Sequence, residues 1–237
     1  MVDTKEKVQY MDLGLIDYKK AWDLQEKYLK GIIDIKMANR HLEKKDQKKS
    51  PHYLLFCEHP PVITLGRSGN MENLLFNEAF LAERGVQFYK NNRGGDVTFH
   101  GPEQIVGYPI LDLDSFFTDI HKYMRFLEEI IIRTIAEYGI IGDRLDGATG
   151  VWIDKGISGK ERKICAMGVK CSRWVTMHGF ALNVNTDLNY FNLINPCGFI
   201  DKGVTSMEKE LGKSINLVDV KQKILYHFKN LFEAELV

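Results

Sequence analysis

Arg93-Gly94-Gly95-Asp96-Val97-Thr98-Phe99-His100-Gly101-Pro102-Glu103-Gln104-Ile105-Val106-Gly107-Tyr108-Pro109-Ile110 is the stretch from which the rest of the chain is read. Two glycines follow an arginine, and an apolar–polar alternation then runs through Phe99. The alternation predicts a strand, His100-Gly101-Pro102 a turn, and the apolar run beyond it a second strand through Leu111. Without Cβ atoms, Gly94 and Gly95 let a backbone approach a ligand closely. Arg93 offers a planar fork of donors beside them. For an isolated Gly-Gly the simpler reading is a hairpin with a permissive turn.

Working outward, residues 86–90 read as a strand leading into this stretch. Residues 53–58 and 62–65 read as two more, broken by Pro60-Pro61. Asp17 is placed to cap a helix over 17–39, with Ala21, Leu24, Tyr28, Ile32 and Ile35 as its apolar face. Residues 77–84 form a short helix ended by Gly85. Asp114 or Ser115 is expected to cap a long helix to Tyr138, closed by Gly139, with Phe117, Ile120, Met124, Leu127, Ile131 and Ile135 on one face. Strands are expected near Arg144 and over 150–154, then a strand pair over 163–170 and 178–184. Thr205 and Glu208 have capping-box spacing, and Asn216 precedes a last helix carrying Val220, Ile224, Phe228 and Leu231. Helices at the start, middle and end, with strands in hairpin-like pairs, argue an α+β fold in a single domain over 1–237.

The chain has 237 residues, 44% hydrophobic and 27% charged, enough for one substantial core. Formal net charge is zero, which does not support steering of nucleic acid. No apolar run has bilayer length and the first nine residues lack the apolar core of a signal peptide, so no membrane partner and a cytoplasmic location are expected. Lys44, Lys45, Lys48 and Lys49 make a Lys-rich loop at about 41–50, read as a solvated segment or as a docking patch for an acidic partner. The cysteines, Cys57, Cys165, Cys171 and Cys197, form no Cys-x-x-Cys pair. His52, Cys57 and His59 read as a satisfied strand end rather than as metal ligands, and no metal or cofactor is expected.

Several blocks together resemble the lipoyl(octanoyl) transferase family. They are Arg93-Gly94-Gly95 with Thr98, His100-Gly101-Pro102, Gln104 and Tyr108-Pro109-Ile110; Glu58-His59-Pro60-Pro61-Val62 with Thr64-Leu65-Gly66-Arg67; Lys163-Ile164-Cys165-Ala166-Met167-Gly168; residues 174–183; and Asn195-Pro196-Cys197-Gly198. Phe99 stands where that family usually has tyrosine, and Glu103 where it usually has glycine. The resemblance implies a fold shared with biotin and lipoate protein ligases, a central mixed or antiparallel sheet flanked by helices. It implies Cys197 as nucleophile and Lys163 as its partner. The binding positions implied are Arg93, Gly94, Gly95, Asp96, Val97, Thr98, Phe99, His100, Ala166, Met167, Gly168, Gly179, Phe180 and Ala181, with Arg67 near the site. It implies transfer of an octanoyl group from octanoyl-acyl carrier protein to lysines of lipoyl domains, those of 2-oxoacid dehydrogenase complexes and of the glycine cleavage H protein.

The residues support that chemistry in their own terms. A thiol in a Pro-Cys-Gly turn is more readily exposed than one in a ladder. It titrates near about 8.5 when unperturbed. An ammonium at about 4 Å, at an effective dielectric of about 20, attracts the thiolate by on the order of 4 kcal/mol before desolvation. The simpler readings are a small buried residue for Cys197 and a strand-surface charge for Lys163. Backbone N–H groups over 163–168 are candidate oxyanion donors. His100 or His178 could move protons or serve as structural hydrogen-bonders. The rival readings are an ATP-dependent lipoate or biotin ligase, which would need a longer glycine-rich phosphate loop; a papain-type hydrolase, which would need a histidine downstream other than His227; and a non-catalytic module that binds acyl carriers or lipoyl domains.

Overall fold

The computed structural model describes residues 5–195 and 202–237. In chain order its elements are β1 (Lys7–Leu15), α1 (Tyr18–Asn39), β2 (His52–Glu58), β3 (Val62–Leu65), α2 (Glu78–Glu83), β4 (Gln87–Lys90), β5 (Val97–His100), β6 (Gln104–Ile110), α3 (Ile120–Ala136), β7 (Gly142–Leu145), β8 (Ala148–Ile153), β9 (Arg162–Ser172), β10 (Val175–Asn183), β11 (Gly203–Val204), α4 (Met207–Leu211), α5 (Leu217–Leu231) and β12 (Glu235–Leu236). The large sheet has the order β12-β1-β2-β6-β10-β9-β8-β7. β12, β1 and β2 pair in parallel and the rest of that path is antiparallel, so the sheet is mixed. β4-β3-β5 form a separate small sheet.

One face of the large sheet packs on α3 and α5 through Leu127, Ile131, Ile135, Ile224 and Phe228. The other packs on α1 through Ala21, Leu29 and Ile32 against Leu55, Val106 and Ala181. A satellite core of Ile63, Leu81, Val97 and Phe99 fills the small sheet. This is the expected α+β class.

The local reading of residues 93–110 holds, but the pairing differs. β5 and β6 belong to different sheets: β5 pairs β3, and β6 pairs β2 and β10. Gly94-Gly95 is not a hairpin turn either, because β3 lies between β4 and β5. The turn after His100 instead carries the chain from one sheet to the other. Glu103 in that turn has φ +62°, the left-handed region where glycine is least strained. Hydrogen bonds from distant elements hold the glutamate there, among them one from Thr186 Oγ1 to its carbonyl (3.1 Å). Its N–H donates to Glu58 Oε2 (2.8 Å), its carbonyl accepts from Asn185 N–H (3.1 Å), and its carboxylate accepts from Asn185 Nδ2 (2.6 Å).

Helix boundaries follow the polar side chains. Asp17 caps α1, its Oδ1 accepting from Lys20 N–H at 3.1 Å. The buried line on α1 is Tyr18, Ala21, Gln25, Leu29 and Ile32, displaced from the expected face because Gln25 turns inward. Asp114 and Ser115 do not cap α3: Lys36 donates to the carboxylates of Asp112 and Asp114, Ser50 donates to Asp112, and Asp119 is the cap. Ser206, not Thr205, caps α4, since the Thr205 N–H is still bonded to Lys163 O at 3.0 Å. β1 and β12 were not expected from a charged N-terminus and a two-residue strand.

Asp17→Ala should lower the free energy of unfolding by about 1 kcal/mol, the usual loss of an N-cap, read from the midpoint of urea denaturation.

Candidate active site

The site is built on β9. On a regular strand, side chains alternate between faces. Val151 of β8 pairs Cys165 of β9, but the next residue, Trp152, pairs Lys163, so β9 carries one extra residue there. Ile164 and Cys165, though consecutive, are both fully buried in the α3/α5 core. This bulge reverses the alternation and puts Lys163 on the same face as Ala166 and Gly168. β11 then adds in parallel at Arg162 and Lys163, beyond Cys165, where β10 pairing stops.

A cavity of about 470 Å³ opens on that face. Ala166, Gly168, Gly179 and Ala181 make part of its wall, and residues this small leave a slot along the sheet. Arg93, Gly94, Gly95, Asp96, Val97, Thr98, His100, Met167, Phe180 and Lys163 also line it. Of the positions expected from the sequence, Phe99 does not: its ring stacks on Tyr190 with centroids 4.7 Å apart, in the satellite core. Arg67 is exposed and outside the lining, its N–H bonded to Arg93 O. Cys197 lies outside the described residues. Tyr18, Tyr108, Trp152 and Asn183 are lining residues to which the sequence reading gave no role.

Arg93 aims its fork at the protein itself. It donates to Thr64 O (2.8 Å), Thr64 Oγ1 (3.0 Å), Gly94 O (3.0 Å) and Asp96 O (2.7 Å). A buried guanidinium needs such acceptors, and here they curl residues 93–96 around it, with Gly95 at φ +86°. The loop is seated on β9 by Gly94 N–H to Val169 O (2.9 Å). A Cβ on Gly168 would stand 2.5 Å from Gly94 O, so this approach requires glycine.

A directed polar chain runs across the floor. Thr64 Oγ1 is 3.5 Å from His100 Nε2; His100 Nδ1–H donates to Gln104 Oε1 (2.8 Å); Gln104 Nε2 donates to Asn183 Oδ1 (2.8 Å); Asn183 Nδ2 donates to Thr205 O (2.9 Å). Both Gln104 amide hydrogens are used, the other on Phe99 O, which fixes the His100 proton on Nδ1. His178 Nε2 lies 2.9 Å from Asn92 Oδ1, and its backbone N–H donates to Gln25 Oε1 (2.9 Å), which accounts for a buried glutamine on α1. His59 accepts from the Tyr108 hydroxyl at Nε2 and donates from Nδ1 to Ile16 O, both at 2.8 Å.

Burial pushes His100 down to about 3, aided by the nearby His59 and Arg93, and pushes His178 down to about 3, aided by Arg93. All three imidazoles are therefore neutral at pH 7, His59 being lowered to about 4 by burial. Proton transfer through an imidazolium at neutral pH is thus disfavoured, and their engaged nitrogens suit a structural part. Burial also pushes the thiols of Cys57, Cys165 and Cys171 up, so none of these three is prepared as a nucleophile.

The two described ends flanking Cys197 are both anchored at the cavity. Asn195 N–H donates to Asn73 O (2.7 Å), and Asn73 in turn donates to the Asp96 carboxylate. On the other side β11 pairs beside Lys163.

The model of the lipoyl protein ligase A/B catalytic domain matches residues 17–229. The chain belongs to this family. It is 57% identical over 231 residues to an octanoyltransferase of Flavobacterium psychrophilum, covering 97% of this chain and 98% of that one. The bi-partite lipoate protein ligase of Thermoplasma acidophilum shares the fold with a TM-score of 0.69 at 14% identity, covering 99% of this chain and 86% of that one. The biotin protein ligase of Aquifex aeolicus superposes at 0.50 and 12% identity, over 97% and 71%. The relationship makes the chain an acyltransferase of the octanoyltransferase group. None of the described helices is long and apolar enough to cross a membrane.

Unfolded histidines take up protons below about pH 6.5, whereas these three stay neutral until about 4 or 3. Their contribution is complete above pH 6.5 and is lost as pH falls toward the folded values. Urea titrations should show unfolding free energy dropping between pH 6.5 and 4.5 by up to about 1.4 kcal/mol per pH unit per histidine. His100→Gln should flatten that slope.

Proposed function

We propose that the chain carries an octanoyl group from an acyl carrier protein to a lysine of a lipoyl domain, through a thioester on Cys197, with Lys163 as the cation that favours the thiolate. The observation that carries this reading is the bulge in β9, which turns Lys163 into an apolar-walled slot of Ala166, Gly168, Gly179 and Ala181. A volume of about 470 Å³ falls within the usual range for a small ligand. The four small residues suit an unbranched chain laid along the sheet.

In the first step the Cys197 thiolate adds to the thioester carbonyl. The carbon–sulfur bond to the carrier breaks, and the carrier leaves as a thiol after taking one proton. In the second step the neutral amine of the acceptor lysine adds to the new thioester. The bond to Cys197 breaks, the amine loses a proton, and an octanoyl amide and free Cys197 result. The proton released in the second step balances the one consumed in the first, and Lys163 is the titratable group at hand to exchange it. One thioester becomes another and then an amide, so no nucleotide is required.

The lysine-rich loop is poorly sited to guide the carrier. Tyr18, at the start of α1, lines the cavity, and the loop follows the other end of this 22-residue helix, roughly 33 Å away. Lys45 and Lys49 also lie within ion-pair distance of Glu43 and Glu6. Changing Lys44, Lys45, Lys48 and Lys49 to Ser together should leave KM for the carrier within about twofold at low salt, since exposed pairs contribute little.

With octanoyl-carrier protein, no acceptor and apyrase present, intact mass should rise by one octanoyl group located on the peptide containing Asn195 to Gly198. A lipoyl domain should discharge it. Cys197→Ala should abolish both adduct and turnover. Transfer that stops on nucleotide removal would favour a ligase, and acyl groups on Cys57, Cys165 or Cys171 would overturn the assignment of Cys197.

A further inference from the structure

One face of α1 is polar where its sequence shows only core packing. Trp22 Nε1–H, Asn92 Nδ2 and Lys170 Nζ all donate to Glu26 Oε1, at 3.4, 3.0 and 3.1 Å. The helix, the segment that leads into the Arg93 loop, and β9 therefore meet on one carboxylate. Burial works against its charge, yet the hydrogen bonds from Asn92 and Lys170 hold the Glu26 carboxyl below its ordinary range. Gln25, next to it on the helix, takes the backbone N–H of His178, a residue at φ +59° where a backbone other than glycine's is strained. The rings of Trp22 and His178 lie 6.5 Å apart between centroids.

Chemistry sets the direction of these bonds. A carboxylate only accepts, so the Asn92 amide must turn its nitrogen to Glu26 and its oxygen to His178. Asn92 Oδ1, 2.9 Å from His178 Nε2, also only accepts, so Nε2 carries the proton. His178 is neutral at pH 7, because burial, aided by Arg93 and Lys170, pushes it down to about 3. A neutral imidazole has one ring proton, so Nδ1 holds a lone pair. His178 lines the cavity and Asn92 immediately precedes Arg93, so the Glu26 carboxylate governs both a side chain of the wall and the stem of the loop.

We infer that Glu26 is a positioning residue of the cavity, acting through Asn92 to hold the stem of the Arg93 loop against α1 and to fix His178 as its Nε2–H tautomer. Its worth to octanoyl transfer rests on the function proposed above, whereas its action on His178 does not. Glu26 does not itself line the cavity, so the effect of its removal passes through Asn92 and His178. The simpler alternative is a surface ion pair with Lys170, since the two side chains are 39% and 26% exposed. Such a pair contributes little, and it would give Lys170 the same weight as Glu26. The stem keeps a second anchor on α1 when Glu26 is lost, because Asn91 Nδ2 donates to the Tyr18 hydroxyl at 2.6 Å.

The test reads the ring-nitrogen resonances of His178 by NMR at pH 7, with KM and kcat for a small octanoyl thioester donor in parallel. Wild type should show Nε2 protonated and Nδ1 not. Glu26→Ala frees the Asn92 amide to turn over, so an Nδ1–H population should appear, and KM should rise about tenfold with kcat within about threefold of wild type. Glu26→Gln keeps an acceptor oxygen for Asn92 and should restore the wild-type tautomer and most of the affinity. Lys170→Met should leave the tautomer as in wild type. Asn216→Ala removes the cap of α5, controls for a loss of stability, and should move neither readout. A wild-type His178 protonated on Nδ1 would overturn the inference without any variant. So would unchanged resonances or an unchanged KM in Glu26→Ala, and Glu26→Gln losing as much as Glu26→Ala would overturn the path through Asn92. Wild-type protein that transfers no octanoyl group would overturn the proposed function instead, and the His178 resonances would then decide the action of Glu26 by themselves.

Discussion

The single extra residue in β9 is the constraint on which the site depends. A strand has a period of two, so a one-residue insertion exchanges faces for everything beyond it. Here Ile164 and Cys165 both enter the core, and Lys163 emerges on the side where Ala166 and Gly168 already face the cavity. Were β9 regular, Lys163 would share a face with Cys165 and Met167 and would point into the core of α3 and α5. The interruption also frees the start of β9 from β10, leaving room for β11 to pair at Arg162 and Lys163. The bulge, the lysine and the anchoring of the chain after Cys197 are thus parts of one local arrangement.

Around β9 the remaining parts are held by close backbone approach and by directed hydrogen bonds. The Arg93 loop comes down on β9 only because Gly94 and Gly168 meet without side chains. Its arginine serves as an internal template, with acceptors from β3 and from its own loop. From Thr64 the polar chain passes through His100, Gln104 and Asn183 to Thr205, at the foot of β11. Each donor has one acceptor in this chain, so the neutral imidazole has a defined tautomer and Asn183 a defined orientation. Buried polar groups satisfied in this way confer rigidity, and a partly satisfied version would be costly. The same low-dielectric surroundings that keep the histidines uncharged would strengthen the field of any cation held nearby.

The sequence by itself determined the local pieces. Periodicity and caps gave α1 with Asp17, the long α3, α5 after Asn216, and the β9–β10 pair, because these depend on neighbours along the chain. Motif content pointed to the loop at Arg93, the Lys163 block and the Gly179 block, and all three meet at one cavity. Gly94 was legible as a glycine of close backbone approach and Gly168 only as a position implied by resemblance, and neither as the partner of the other.

Only the tertiary structure decided which strands share a sheet, which way Lys163 points, and what Arg93 holds. β5 and β6 are adjacent in sequence yet lie in different sheets, since the backbone at Glu103 turns in the left-handed region and is held by Asn185 and Glu58 from distant elements. Gln25 breaks an apolar face for a backbone N–H that sits on β10, far along the chain. Phe99 reads as a site residue by its place in the motif, but strand alternation delivers it to the satellite core beneath Tyr190. The bulge has no signature in composition or spacing, because Lys163-Ile164-Cys165-Ala166 reads equally well as a regular strand. Its register is set by pairing with β8 across the sheet, and such non-local pairing is what a linear reading of residues lacks.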